Sequence, residues 1–413
     1  MQVVTPHVVI SGAGIAGPAL AHQLHARGWR ATVIERFPQR REEGQNVDIR
    51  GAARAVIRRM GIESDVRAAG TGEVGTRFVT ADGRPAASFP VGEPGGSDGP
   101  TAELEILRGE LSRILIEHTP DTAYRFDSQI ADVTDHGDGV STVLQDGTVL
   151  ESDLLVIAEG LHSRSRRFVT DVGVGELGMY LAYATIPRRD DDDLWWNWQH
   201  ATRRRSVHLR PDNLGTTRAI LTFMSDVRGF EELDRQGQLT ILRRTFDDVG
   251  GAAPRILADI DAGAPMYFSA VGQVRAPVWS RGRITLLGDT AFCNGTFGGA
   301  GTSLALIGGY VLAGELAVAP DIAAALAAYR RTMQPFLDTA PELSESMLRL
   351  ANPHSALGIR AVRAVAAVSA GPVGRRISSL VGDRFSDIAG AGLRPPDYPP
   401  TGTTAGIGPV ARD

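Results

Sequence analysis

The sequence predicts an α/β protein: a nucleotide-binding α/β domain, discontinuous in sequence, with a mostly antiparallel sheet inserted and a helical segment at the C-terminal end. Three observations predict it. Residues 8–35 run in the order strand, glycine turn, helix, strand, acid. Two later apolar strands, Leu154–Ile157 and Arg283–Leu287, end on Glu159-Gly160 and Gly288-Asp289. Strand-rich stretches, rather than further helix–strand units, separate these stations.

The first unit carries most of the chemistry. Val8-Val9-Ile10 reads as a buried strand, and Gly12-Ala13-Gly14-Ile15-Ala16-Gly17 follows at once. Gly12 suits the tight turn, Gly14 a close approach of a pyrophosphate to the backbone, and Gly17 close packing of helix on strand. The helix that opens at Ala16 points its free N–H groups at the phosphates. Ala19, Leu20 and Leu24 continue it to a stop at Gly28. Ala31–Ile34 is the second strand, ending on Glu35, which is placed to accept ribose hydroxyls.

The remaining elements follow in order. After an arginine-rich turn at 36–41, residues 45–50 lead into a helix through Ala52, Val56 and Met60. Residues 73–90 read as a hairpin turning at Asp82-Gly83. Val91–Pro100 is a Gly/Pro-rich loop, either a connector or a lid. Leu104–Ile116 has the period of an amphipathic helix, and Tyr124–Glu151 that of a three-stranded meander. Residues 178–224 hold several strands, 236–248 and 253–261 two helices, and Met266–Val274 another strand. A glycine-rich loop, Gly295–Gly301, enters a helix over Ser303–Leu316. Beyond Pro320 the chain reads as helical to about Val381.

Composition bounds the partners. The chain has 413 residues, 43% hydrophobic and 22% charged, with a net charge of −5. That suits a soluble globular protein and carries no basic footprint for nucleic acid. A single cysteine, Cys293, excludes an intramolecular disulfide and suits a reducing compartment. The first strand begins by residue 8, leaving no room for a signal peptide, so a cytoplasmic protein is expected. No Cys/His spacing suggests a metal. No uninterrupted run of 18 apolar residues predicts a transmembrane helix. Arg360 and Arg363 on the helix from Ser355 to Ala370 would allow membrane contact, though packing across the protein's own domains is the commoner use of such a helix. All 43 Lys-plus-Arg residues are arginine, which excludes a P-loop lysine and a lysine Schiff base.

Three stretches together resemble one family, the single-component FAD-dependent aromatic hydroxylases. They are the glycine unit with Glu35-Arg36; Asp153–Arg166, similar to the family's DG motif; and Gly282–Phe292 running on to Gly301, similar to its GD motif. Ser163–Asp171 is similar to the version of that turn in tetracycline-inactivating hydroxylases. The resemblance implies FAD held by Gly12, Gly14, Ala16, Gly17, Glu35, Arg36, Asp48, Arg108, Asp289, Gly299, Gly301 and Thr302. It also implies NADPH or NADH docking transiently, with Arg41 as a candidate contact, or else a solvated arginine of a basic turn. Arg50 is a weaker candidate beside Asp48. A helix start near Gly299–Thr302 would stabilise an anionic reduced flavin by up to ~2 kcal/mol, favouring reaction with O2 to a C4a-hydroperoxide. The motifs depart from the family pattern at Glu159 for Asp, Phe292 for His, Thr296 for Pro and Gly308 for Asp.

On this basis residues 1–72, 101–172 and 278–340 form a Rossmann-like FAD domain. Residues 73–100 and 173–277 form the substrate domain, and 341–413 a C-terminal helical segment and tail. The expected substrate is an aromatic or polycyclic small molecule. Tyr183, Trp196 and Trp198 are its candidate walls, with Trp195 on the opposite face of the strand; each tryptophan also suits plain sheet packing. No residue pattern demands a catalytic side chain. The main expectation is a monooxygenase hydroxylating its substrate. The alternative is a flavin oxidase or dehydrogenase on the same fold. A halogenase reading, suggested by Trp196-Asn197-Trp198, lacks the lysine that chemistry uses, and a flavin-binding sensor is a further possibility. The oligomeric state, monomer or dimer, is left open.

Overall fold

The computed structural model describes residues 5–42, 44–92, 101–295, 299–371 and 392–399. Its first layer is a six-stranded sheet in the order Ser280–Arg281, Ile284–Leu286, Leu154–Ile157, His7–Ser11, Arg30–Ile34, Ala123–Arg125. All neighbours are parallel except the edge pair of Ser280–Arg281 with Ile284–Leu286. The central strands are apolar at almost every position because helices cover the sheet. Val8, Val9, Ile10 and Leu154 to Ile157 are fully buried.

Helix Gly301–Val318 lies in the core against helices Ala16–His25 and Ile322–Asp338. By length and mean hydropathy, 1.4, it could cross a bilayer, yet 78% of it is buried inside the protein. It is apolar all round because it has protein on all sides.

The second large element is a seven-stranded sheet in the order Met266–Arg275, Gly175–Pro187, Thr216–Met224, Arg205–Pro211, Trp196–Ala201, Gly75–Val79, Pro85–Pro90. It is antiparallel apart from the Trp196–Ala201 and Gly75–Val79 pair. Helices Arg235–Phe246 and Ala253–Asp261 pack on one face around Tyr180, Phe223 and Phe246.

Three expectations are corrected. Leu104–Ile116 is not one helix: Glu105–Leu107 is a strand paired antiparallel with Asn46–Asp48, and the helix runs Arg108–Glu117. A buried partner strand overrides the helical period of three residues. The meander begins at Ile130 rather than Tyr124, because Ala123–Arg125 completes the parallel sheet beside Arg30–Ile34. The glycine-rich loop enters its helix at Gly301, two residues early. The C-terminal part is helical as expected, in three helices, Ile322–Asp338, Glu345–Ala351 and Ala356–Ala370, the last two started by Ser344 and Ser355 caps. The continuation to Val381 lies outside the described residues, as do Thr296 and most of the Val91–Pro100 loop.

The helix Ala356–Ala370 packs against the hairpin strand Pro85–Pro90. Arg363 donates to the Val79 carbonyl at 2.8 Å.

Candidate functional site

A cavity of about 310 Å³ opens where the two large sheets meet. The strand–turn–helix at its inner end is built as the sequence dictates. Gly12 has φ +117°, and a Cβ there would fall 2.3 Å from the Ala158 carbonyl oxygen. Only glycine permits that turn. A Cβ on Gly17 would fall 2.0 Å from the Gly12 oxygen, so Gly17 is a packing glycine and does not reach the cavity.

Glu35 closes the same turn. Its Oε2 accepts from the Ala13 N–H at 2.8 Å and its Oε1 from the Phe37 N–H at 3.1 Å. Each carboxylate oxygen still has a lone pair for a ligand hydroxyl.

Two polar groups face this cavity unsatisfied. The Arg108 guanidinium lies close over Gly14, where an added Cβ would sit 3.2 Å from Nη2, and it has no hydrogen-bond acceptor among the described residues. Burial lowers its pKa, and Arg41 adds to this, while Asp289 and Glu35 oppose it. Asp48 gives Oδ2 to Arg50 at 2.8 and 3.1 Å, but its buried Oδ1 has no partner among the described residues. Buried polar groups are normally paired, so both mark places for ligand atoms. Across the cavity, Asp289 opens the helix Asp289–Phe292, three residues past the parallel strand Ile284–Leu286. Burial raises its carboxyl, and Arg108 draws it back. Gly299, Ala300, Gly301 and Thr302 bring the start of the core helix to the same wall.

The family model described as "FAD binding domain" matches residues 5–337. The chain belongs to the FAD-binding-domain family. It is 35% identical over 397 residues to the flavin-dependent monooxygenase eupH of Phoma sp., covering 88% of this chain and 92% of that protein. It is 33% identical over 353 residues to a flavin-dependent monooxygenase of Legionella longbeachae, covering 83% and 89%. Among solved structures, tetracycline destructase Tet(55) matches with a TM-score of 0.76 at 28% identity, over 95% of this chain and 99% of that one. Klebsiella pneumoniae HpxO, complexed with FAD and uric acid, shares the fold with a TM-score of 0.73 at 18% identity, over 92% and 97%. The protein is an FAD-dependent monooxygenase.

The residues present fit that cofactor. An unpaired arginine over a glycine turn suits a pyrophosphate, and the carboxylates of Glu35 and Asp289 suit sugar hydroxyls. The Asp48 Oδ1 atom suits a donor on the ligand. Gly12, Gly14, Ala16, Glu35, Arg36, Asp48, Arg108, Asp289, Gly299, Gly301 and Thr302 all line the cavity of this monooxygenase.

Arg41, Tyr183 and Trp196 line it too. Trp198 does not: it lies one step deeper, stacked on Trp196 at 5.6 Å and packed on His208 and Phe78 at 4.6 and 5.3 Å. Alternation placed both rings on one face, but the reach of the cavity along the strand ends at Trp196. Trp195 sits on the other face under Arg77.

The motif departures have physical reasons. Glu159 is turned into the protein. Its Oε1 accepts from the hydroxyls of Ser11 and Ser165, both at 2.7 Å, and its Oε2 from the Ser163 hydroxyl at 2.7 Å and the Ser165 N–H at 3.1 Å. The longer side chain ties the turn 160–165 to the first strand. Phe292 is buried and packs on Trp279 at 4.8 Å. A Cβ at Gly308 would stand 3.5 Å from the Phe292 ring and 3.0 Å from Leu287. The crowding at Gly308 thus comes from Leu287, while the Phe292 ring stands at ordinary contact distance.

Sequence reasoning passed over Arg210. Its guanidinium lines the cavity 4.0 Å from the centre of the Trp196 ring. It is held by Glu73 at 2.8 and 3.2 Å and by Glu105 at 2.7 Å, and its Nη1 makes no hydrogen bond to a described residue. Nothing in the sequence separates Arg210 from Arg205 or Arg218 in the neighbouring register. The Trp196 Nε1–H donates to His208 Nδ1 at 3.0 Å, and His208 Nε2 meets the Ser206 hydroxyl at 2.8 Å. Burial holds His208 well below the usual histidine range, so a neutral ring fixes the tryptophan wall.

A side cavity of about 160 Å³ shares Arg36, Arg41, Arg108, Tyr183 and Asp289 with the main one and adds His162, Arg218, Met266 and Tyr267. The Arg41 guanidinium sits between the Phe37 and Tyr267 rings, 4.8 and 5.2 Å from their centres.

Proposed function

We propose that this monooxygenase takes electrons from NADPH or NADH and inserts one atom of O2 into an aromatic or polycyclic small molecule. One observation carries the reading: the cavity is polar and glycine-lined at the nucleotide end, and walled by Tyr183, Ile220 and Trp196 at the other. A flat substrate fits such walls. The named relatives agree in kind, since Tet(55) is titled a tetracycline destructase and HpxO was crystallised with uric acid.

Bound FAD supplies the redox chemistry. The chain's own residues do the rest. The glycine turn and Arg108 hold the pyrophosphate, and Glu35 and Asp289 the sugar hydroxyls. The first N–H groups of Gly301–Val318 favour negative charge on the ring system. Tyr183 and Trp196 exclude water and orient the substrate. The side cavity, with Arg41 on its wall, is the proposed docking place of the nicotinamide cofactor. The unbonded Nη1 of Arg210 favours a substrate with an oxygen acceptor on its ring.

The test is a screen of aromatic and polycyclic compounds for stimulated NAD(P)H consumption, followed by mass spectrometry of product formed under ¹⁸O2. One labelled oxygen per product is expected. Efficient turnover with unlabelled product and stoichiometric H2O2 would replace this reading with an oxidase.

A further inference from the structure

Beneath the Trp196 wall lies a cluster of charge of which the proposed function uses only one edge, the Nη1 of Arg210. Arg210, Glu73 and Glu105 are almost wholly enclosed, their side chains 8%, 0% and 3% exposed. Both carboxylates converge on the same nitrogen, Nη2 of Arg210, Glu105 at 2.7 Å and Glu73 at 3.2 Å. Hydroxyls complete the set: Thr71 donates to Glu105 at 2.8 Å and Thr101 to Glu73 at 2.6 Å. Asp48, cross-strand from Glu105, is matched by Arg50. Glu103, two residues before Glu105, is matched outside the cluster by Arg54 and Arg67. His208, two residues along the strand from Arg210, is neutral. Among the described residues three carboxylates thus face two guanidiniums, and a surplus buried negative charge is strongly disfavoured.

We infer that Glu73 and Glu105 hold one proton between them, forming a neutralised base that positions Arg210 with one N–H edge turned to the cavity. The count of charges among the described residues favours a proton, and the shared nitrogen brings the two carboxyls to the place that holds it. Burial raises both groups; Glu105 reaches about 8, with Glu73 and Asp48 adding to the rise against Arg210. The proton itself stands without the proposed function; only its consequence for the cavity rests on that reading. With both carboxylates ionised, the triad is net negative and repels an electron-rich oxygen. With one proton it is net neutral, and the exposed edge of the guanidinium attracts one.

The test needs no substrate. Infrared difference spectra of FAD-saturated protein at pH 7 compare wild type with Glu105→Gln and with Glu73→Gln. Either variant leaves one carboxylate matched to Arg210, so the proton departs. The protonated-carboxyl C=O band should be present in wild type and lost in both. Retained absorbance of bound FAD shows that each variant is folded. A second measurement is the unfolding constant of the FAD-saturated protein against pH. The folded pair keeps a proton that an unfolded glutamate has released, so from about pH 5.5 to 7 the wild-type unfolding constant should rise nearly tenfold per pH unit relative to either variant, and less steeply as pH approaches 8. Absence of the band in wild type, or parallel pH dependence in all three proteins, would overturn the inference. If neither variant folds, the wild-type band and its loss on raising the pH remain the deciding readout.

Discussion

Two arginines face the same cavity and differ in what surrounds them. Arg108 stands over Gly14 with no acceptor among the described residues, and Asp48 Oδ1 nearby has no donor. Arg210, at the other end, is held by two carboxylates and a tryptophan ring. A charge left unsatisfied by the protein is kept for a ligand. A charge bound on nearly every side belongs to the fold, and only its one open edge is offered to the ligand. Removal of the first should therefore appear in cofactor affinity, and removal of the second in stability.

The largest effect expected is on Arg210→Met. It leaves Glu73 and Glu105 buried without their cation, and breaking a buried ion pair from one side costs about 3–5 kcal/mol. Urea unfolding of FAD-saturated protein at pH 7 should show that loss. It should shrink toward pH 5, where both carboxyls take up protons. A loss under about 1 kcal/mol would mean that Arg210 is not the keystone of this end of the cavity.

His200 is likewise held by the fold, through one of its two ring nitrogens. Its Nε2 donates to the Ala351 carbonyl at 3.0 Å, and its buried Nδ1 has no partner among the described residues. Protonation would place charge on that nitrogen, and burial lowers the group to about 4. The folded state thus binds fewer protons than the unfolded state between pH 6.5 and 4. The stabilisation is complete above 6.5 and is lost as pH falls through that window, at most about 3 kcal/mol in all. His200→Gln should flatten the acid limb of a stability–pH curve relative to wild type. An unchanged limb would assign acid sensitivity elsewhere, with His22, also lowered to about 4 by burial, as the next candidate.

For Arg108→Ala the expectation reverses. Loss of a charge-assisted contact costs about 1.5–3 kcal/mol, or one to two orders of magnitude in the FAD dissociation constant. The stability of the apoprotein should hold or rise, since a buried unpaired cation is removed. Glu35→Ala should weaken FAD similarly but also loosen the turn, because Ala13 and Phe37 lose their acceptor. Fluorescence titration with FAD, paired with apoprotein unfolding, separates the two variants. Wild-type affinity in Arg108→Ala would sink the pyrophosphate assignment.

These contrasts also show why one end of the cavity was legible in the sequence and the other was not. The nucleotide end is written in local chemistry. Gly12 needs its positive φ and Gly17 its missing Cβ. Glu35 stands one residue past its strand and Asp289 three residues past Ile284–Leu286, and each requirement acts within a few residues of chain, so spacing exposes it. The Arg210 end is assembled from Glu73, Glu105 and a strand more than 100 residues later. No local period distinguishes Arg210 from its neighbours, and Glu105-Ile106-Leu107 reads as helix until its partner strand is known. Alternation sorted the tryptophans by face correctly, yet the depth of a cavity along a strand is not a periodic property.

The smallest effect expected separates the two stacked tryptophans. Trp196 lines the cavity, caps Arg210 and donates to His208. Trp198 supports it from behind, within the cluster with Phe78, His200 and His208. Trp198→Phe keeps a ring at the stack, so the loss should be about 1 kcal/mol or less, the scale of one aromatic pair. FAD affinity and ligand-stimulated NAD(P)H consumption should stay within about twofold of wild type, a span of roughly 0.4 kcal/mol. Trp196→Phe removes the indole N–H that holds the ring against His208 and narrows the surface over Arg210. It should change ligand-stimulated consumption by roughly tenfold, for a lost hydrogen bond of about 1 kcal/mol plus lost contact area, with FAD content unchanged. Both rings lie on one face of one strand, so only depth distinguishes them. An equal change in ligand response for the two variants would show that the substrate end of the cavity reaches past Trp196, to the place the strand's alternation alone assigned to Trp198.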